Sequence, residues 1–338
     1  IYTDANSASD QNQLTMEIMK KVAEKHGLIC LLHEKPFAGV NGSGKHNNWS
    51  LSTDTGDNLF SPGKTPSQNA RFLLFLAAFI QGVDEYQELL RCTVSFAGND
   101  HRLGAQEAPP AIISIFLGEE LEAIVDSIVT GHDYTDRARN SLRIGVDVLP
   151  AIPKDTTDRN RTSPVAFTGN KFEFRMPGSS QSIAGPNTIL NAIMAEELRQ
   201  FADELEGAQD FHAALHDLIR RAFTEHRRIL FSGNGYEESW VEEAQRRGLP
   251  NLRNTAEALP AYILQKNIDL YTRHGVYTEQ EMQARHEIHM EKYCHVITIE
   301  AHTLIDMVLY CQRDLRRLEA SMEKEKVIEF EVARKEAA

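Results

Sequence analysis

Cysteine is scarce in this sequence: four occur in 338 residues, at positions 30, 92, 294 and 311, and no two lie close together. That spacing makes neither a disulfide framework nor a zinc-ligand pattern, and it points to a reducing compartment, the cytoplasm. Positive charge is also short, with 36 Lys and Arg against 49 Asp and Glu, a net charge of −13. A chain of that sign does not coat nucleic acid or an anionic membrane, although a locally basic site for an anionic substrate is compatible with it. Long apolar runs are missing too. The longest, residues 72–80, is about half of the roughly 20 residues a membrane helix needs, and no signal peptide is visible. Neither a nucleic acid nor a membrane is expected as a partner. There is no internal repeat and no low-complexity stretch. The chain opens on Ile1 rather than Met, and its first residues read as mid-domain sequence, so a fragment of a longer protein is expected.

What is present is ordinary globular composition, 41% hydrophobic and 25% charged, in a chain long enough to bury a large core. Residues 10–26 have helical periodicity, with Asp10 and Gln13 at capping-box spacing and Gly27 as a stop. Residues 28–33 and 49–53 read as short strands. A helix is expected from Thr65 and Pro66 through Gly82, with proline at its first position, and another over residues 111–129. Residues 131–164 are polar, and residues 172–176 alternate apolar with charged side chains, the period of a half-buried strand. Beyond Pro186 the chain reads as helix. Tyr293, Ile297, Ala301, Leu304, Val308, Cys311, Leu315, Leu318 and Met322 make one apolar stripe, expected to pack on other helices or to join subunits. The fold class is therefore α+β, with a mixed region over 1–185 and a helical region over 186–338.

Three loops carry residues suited to chemistry. Residues 39–46 (GVNGSGKH) miss the phosphate-binding G-x-x-x-x-G-K-[ST] pattern, because His46 replaces the hydroxyl, and residues 47–50 do not open an amphipathic helix. Residues 99–110 place Arg102 and Glu107 in one loop that ends on two prolines. Residues 158–164 precede a strand on which Lys171, Glu173 and Arg175 share a face. Read singly, each is a solvated turn or sheet face as readily as a site. His286 and His289 have the wrong spacing for a helical zinc motif, and no Ser/His or Cys/His nucleophile arrangement stands out.

Taken together and in this order, the segments resemble the catalytic domain of glutamine synthetase, in wording closest to the large type III enzymes. Residues 35–46 (KPFAGVNGSGKH) resemble the family's K-P-x(4)-N-G-x-G-x-H loop. Arg102 with Glu107, Ala108 and Pro109 resembles its glutamate-binding arginine and glutamate flap. Asn160-Arg161-Thr162 and Glu173-Phe-Arg175-Met-Pro177 resemble its N-R-S and E-x-R-x-P signatures, and a fainter likeness recurs at residues 275–278.

The resemblance implies an antiparallel sheet with helices and a glutamate–ammonia ligase (glutamine synthetase) using ATP, glutamate and ammonium in a homo-oligomer. It also implies roles residue by residue. His46 and Glu173 would ligate a divalent ion, Mg2+ or Mn2+, and Arg161 would steady the transferring phosphoryl group. Glu107 would shield the intermediate and take a proton. Asn41, Gly42, Arg102 and Arg175 would hold glutamate, and Asn48, Ser50 and Lys171 the nucleotide. Three positions depart from the family: Asn48 stands where relatives often carry histidine, and Lys171 and Ala166 where they often carry arginine. The family's remaining metal carboxylates precede this segment. Since Mg2+ takes about six oxygen ligands, this chain alone is expected to fold without making glutamine. A γ-glutamyl amine ligase of the same fold and a non-catalytic protein that kept the fold are the alternatives.

Overall fold

The computed structural model describes residues 3–105, 108–132, 141–142, 152–153 and 162–336. The chain runs α1 (Ala5–Lys25), β1 (Asn47–Trp49), α2 (Ala70–Glu85), α3 (Gln87–Cys92), α4 (Ala97–Asp100), β2 (Ile115–Phe116), α5 (Glu119–Thr130), β3 (Ser141–Leu142) and β4 (Ile152–Pro153). It continues through β5 (Val165–Phe167), β6 (Phe172–Phe174), α6 (Ala184–Glu206), α7 (Phe211–His226), α8 (Glu238–Arg246), α9 (Thr255–Ala258), α10 (Gln265–Arg273) and α11 (Glu279–Glu336). The α+β reading holds: after β6 the described residues contain only helices and connections.

The main sheet has the order β1-β6-β5-β2. β6 is antiparallel to both neighbours, with Asn48 opposite Glu173 and Ala166 opposite Glu173 on the other side, while β2 runs parallel to β5. Alternation along β6 sends Phe172 and Phe174 into the core and leaves Glu173 on the opposite face. The core face packs on α2, whose run of Phe, Leu, Ala and Ile is buried almost throughout. Phe172 and Phe79 stack with ring centroids 3.6 Å apart, and Phe60 meets Phe172 edge-on at 5.2 Å. α2 packs in turn on α6 and α7. The strand bearing Glu173 is thus held against the buried aromatic and aliphatic core.

Several local expectations are corrected. α1 begins at Ala5, not near residue 10, because the Asp4 carboxylate accepts the Ser7 N–H at 2.9 Å and residues 5–9 contain no helix breaker. Residues 28–33 form no strand; they have no sheet neighbour among the described residues, and Leu28, Ile29 and Leu31 are exposed. β1 starts two residues earlier than expected. Pro66 opens a single 3-10 turn, and Asn69 caps α2 by accepting the Phe72 N–H at 3.1 Å. Residues 111–129 are not one helix: β2 comes first, Gly118 turns the chain at φ 86°, and α5 follows. Most of the polar stretch 131–164 lies outside the described residues.

Compact packing divides the chain into Ile1–Glu287 and Ile288–Ala338. The first unit contains the sheet and α1 to α10, so α6 and α7 share the core of the sheet rather than starting a separate body. The second unit is the continuation of α11. Its stripe is helical as expected, yet Leu304, Val308, Leu315, Leu318 and Met322 are all exposed. By length and composition alone, Glu279–Lys324 is also long and apolar enough to cross a membrane. A search for unbroken apolar runs misses it because Glu300, His302 and Asp306 interrupt the pattern.

Candidate active site

Residues 39–46 reach β1 as a loop laid along the segment that leaves β6. Gly44 bridges Gly178, the Lys45 N–H donates to the Pro177 carbonyl at 2.8 Å, and the Ser179 N–H donates to the Ser43 carbonyl at 3.2 Å. This zipper sets His46 at the mouth of β1, beside the central residue of β6. His46 Nδ1 lies 2.7 Å from Glu173 Oε1. The second oxygen, Oε2, accepts from Arg175 Nε at 3.0 Å and Nη2 at 2.9 Å.

The electrostatics follow from that division. The His46 hydrogen bond foremost, then Arg175, pulls the Glu173 carboxyl down to about 2 against the opposing effect of burial. Glu173 is therefore ionised at any ordinary pH and accepts through both oxygens, with His46 Nδ1 the donor at Oε1. The His46 side chain is 58% exposed and that of Glu173 only 9%, so an imidazole at the surface stands over a carboxylate in the sheet. An imidazole nitrogen beside an ionised carboxylate is a donor set that suits a divalent ion, Mn2+ especially. It fills two positions only. Among the described residues, no group of three or more His, Cys, Asp or Glu converges on a metal position.

Arg175 is 4% exposed, its guanidinium lying on Glu173. Arg102 is 5% exposed, and its guanidinium ties the loops together: Nη1 donates to Asn99 Oδ1 at 3.1 Å and to the Met176 carbonyl at 2.9 Å, and Nη2 to the Arg175 carbonyl at 3.1 Å. Burial lowers the pKa of Arg102, and Glu34 opposes that effect. Asn41 is exposed and Gly42 partly so, at the near end of the same loop.

Two of the nucleotide candidates, Ser50 and Lys171, lie at the far end of the strand pair. Trp49 registers with Phe172, so Ser50 and Lys171 leave the sheet together. Ser50 Oγ donates to the Asn170 carbonyl at 2.9 Å and accepts from Asn58 Nδ2 at 2.9 Å. Asn48 is exposed on the Glu173 face, opposite that residue. Glu107 and Arg161 lie outside the described residues. Thr162, next to Arg161, accepts the Gly235 N–H at 2.8 Å through Oγ1.

Sequence reasoning missed the supports. Asn47 Nδ2 donates to Asn187 Oδ1 at 2.8 Å and Trp49 Nε1 to Asn191 Oδ1 at 3.0 Å, fastening β1 to α6. Glu34 is fully buried beneath the 39–46 loop. The Asn187/Asn191 pair has i, i+4 spacing on a helix, a signal that becomes readable only once the partner strand is known.

Comparison with known proteins meets this geometry. Residues 1–112 match the model of the glutamine synthetase catalytic domain, and residues 214–311 that of the glutamine synthetase C-terminal domain. The chain is 51% identical over 311 residues to a type-3 glutamine synthetase of Dictyostelium discoideum, covering 91% of this chain and 42% of that protein. It is 47% identical to a glutamine synthetase of Butyrivibrio fibrisolvens, covering 91% and 44%. A solved structure described as apo GmaS without ligand shares the fold at TM-score 0.52 and 20% identity, over 88% of this chain and 52% of that one. The glutamine synthetase of Plasmodium falciparum does so at TM-score 0.52 and 14% identity, over 90% and 53%. The chain belongs to the glutamine synthetase family. It spans less than half the length of the curated relatives it matches.

Proposed function

We propose that this chain contributes the glutamate, phosphate and metal loops of a glutamate–ammonia ligase that makes glutamine at the expense of ATP. The observation that carries the reading is Glu173, one ionised carboxylate divided between His46 and Arg175 at the mouth of a glycine-rich loop. Glutamate's side-chain carboxylate is a poor electrophile at neutral pH, and phosphorylation activates it for attack by ammonia. Such transfers depend on positioning and charge neutralisation more than on protein nucleophiles. That requirement suits a site of arginines and metal ligands.

In this reading His46 and the Glu173 carboxylate would hold a divalent cation, Mn2+ or Mg2+, the ion taking the place of the proton that now joins Nδ1 to Oε1. When bound, it would neutralise charge on the ATP phosphate oxygens. Arg102 and Arg175 are assigned with Asn41 and Gly42 to glutamate, as the resemblance implies, while Arg175 also orients Glu173 and Arg102 packs behind the loop at Gly42 and Gly44. Ser50, Asn48 and Lys171 line the nucleotide end. Arg161 stabilises the transferring phosphoryl group, and Glu107 takes the proton released when ammonia attacks. A homo-oligomer in the cytoplasm fits the four unpaired cysteines and the exposed face of α11.

The test uses the complete protein with ATP, glutamate, ammonium and Mg2+ or Mn2+, measuring glutamine and phosphate. Arg161→Ala is expected to lower kcat by roughly 10²-fold or more with the fold intact, because charge stabilisation at the phosphoryl group is lost. A wild-type kcat in that variant would remove Arg161 from the mechanism. Absence of glutamine formation by the parent protein would remove the activity itself.

A further inference from the structure

Glu34 has no role in the chemistry described so far, yet it is fully buried, and a carboxylate is among the costliest groups to take out of water. It sits where three segments meet. Its backbone carbonyl accepts the Ser43 N–H at 2.7 Å, from the loop of Asn41 and Gly42. Its Oε1 accepts the Ser180 N–H at 2.9 Å and the Ser180 hydroxyl at 2.6 Å, from the segment that follows Arg175. Its Oε2 is buried and has no hydrogen-bond partner among the described residues.

The surroundings are shaped to this side chain. A methyl group at Gly98 would come within 2.7 Å of Oε2, and one at Gly178 would overlap the Glu34 Cγ and carboxylate. Only glycine at those two positions leaves room for it. The charge is used as well. Arg102 and Lys45 are both disfavoured as cations by burial, and in both cases the Glu34 carboxylate opposes that effect. Lys45 belongs to the glycine loop and the Arg102 side chain packs against that loop at Gly42 and Gly44, so one buried anion serves two cations of the same neighbourhood.

We propose that Glu34 is a positioning residue for glutamate binding, holding the loop of Asn41 and Gly42 against residues 178–180 and balancing the charge of Arg102 behind it. This rests on the function proposed above, and it assigns substrate affinity to a residue that touches no reactant. Volume and hydrogen-bond acceptance alone would be met by glutamine. A buried Oε2 left without a hydrogen-bond partner among the described residues, on a carboxylate that favours the charge of both Arg102 and Lys45, marks the negative charge as the property in use.

Glu34→Gln preserves size and the acceptor for Ser180 while deleting that charge. In the complete protein it is expected to raise KM for glutamate about tenfold, the equivalent of about 1.4 kcal/mol. KM for ATP and kcat should stay within about twofold, since the nucleotide end lies on another part of the strand pair. Glu34→Asp, which keeps the charge, should recover part of the loss. A folded Glu34→Gln protein with wild-type KM for glutamate overturns the proposal, as does an equal rise in KM for ATP and glutamate. Should Glu34→Gln fail to fold, Ser180→Ala decides: a selective rise in KM for glutamate supports the role, and an unchanged KM overturns it. A parent protein that makes no glutamine would instead point to failure of the functional reading beneath.

Discussion

His46 Nδ1 and Glu173 Oε1 lie 2.7 Å apart although 127 positions separate them in the chain. The contact exists because β1 and β6 are antiparallel neighbours with Asn48 opposite Glu173. Replacing Glu173 by Gln removes the anion but leaves the strand intact. Divalent-ion affinity, measured by Mn2+ titration of the complete protein, is expected to fall at least tenfold, the lower end of losses seen when even supporting residues of metal sites are changed. His46→Asn should weaken Mn2+ similarly. Unchanged binding in both variants would take the metal elsewhere.

The strand itself depends on aromatic packing. Phe172 is 1% exposed, stacks on Phe79 and meets Phe60 and Phe167 edge-on, each with centroids 5.2 Å away. Phe172→Ala is expected to cost about 3–5 kcal/mol through lost burial and the cavity left behind. Chemical denaturation would show this as a lower midpoint with an unchanged slope.

Glu197 on α6 gives the fold a pH signature. It is fully buried, its carboxylate accepts from Gln81 Nε2 at 2.7 Å, and burial, with Glu85 and Glu196 nearby, pushes its carboxyl up to about 8. The folded protein therefore holds this proton more tightly than the unfolded chain does. Its contribution to stability is largest below the ordinary carboxylate range and is lost as pH rises toward 8. At the steepest point the loss is about 1.4 kcal/mol per pH unit, with about one proton released on unfolding. Glu197→Gln is expected to flatten the slope in that window. An identical pH dependence in the parent and the variant would show that Glu197 titrates normally.

The exposed stripe on α11 predicts assembly. Leu304 and Leu315 are 62% and 60% exposed, and such side chains contribute about 1.5–3 kcal/mol each when buried. Changing both to aspartate is expected to dissociate the complete protein into smaller species in sedimentation, or to lower its thermal midpoint. If neither quantity moves, the stripe faces solvent in the assembled protein too.

Much of the site was legible because its residues sit in short local patterns. The glycine loop ending on His46 and the alternation of Lys171, Glu173 and Arg175 needed no partner to be recognised. Element ends were less legible. The strand expected at residues 28–33 rested on apolar composition, and a strand exists only where a neighbour accepts its hydrogen bonds. The helix expected over 111–129 overlooked β2, whose two residues are strand only by pairing with β5.

The sequence by itself determined which residues could do chemistry, the family to which they belong, and the largely helical character of the chain beyond Pro186. Period and side-chain type are local properties, and they survive without a fold. Only the tertiary structure decided that Glu173 is shared between His46 and Arg175, that Arg102 spends its guanidinium on backbone carbonyls, and that Glu34 is buried among glycines at 42, 98 and 178. Most of those contacts depend on register and close approach between segments more than fifty residues apart. Charge in a buried site is set by what surrounds it in space, and that is a property of packing.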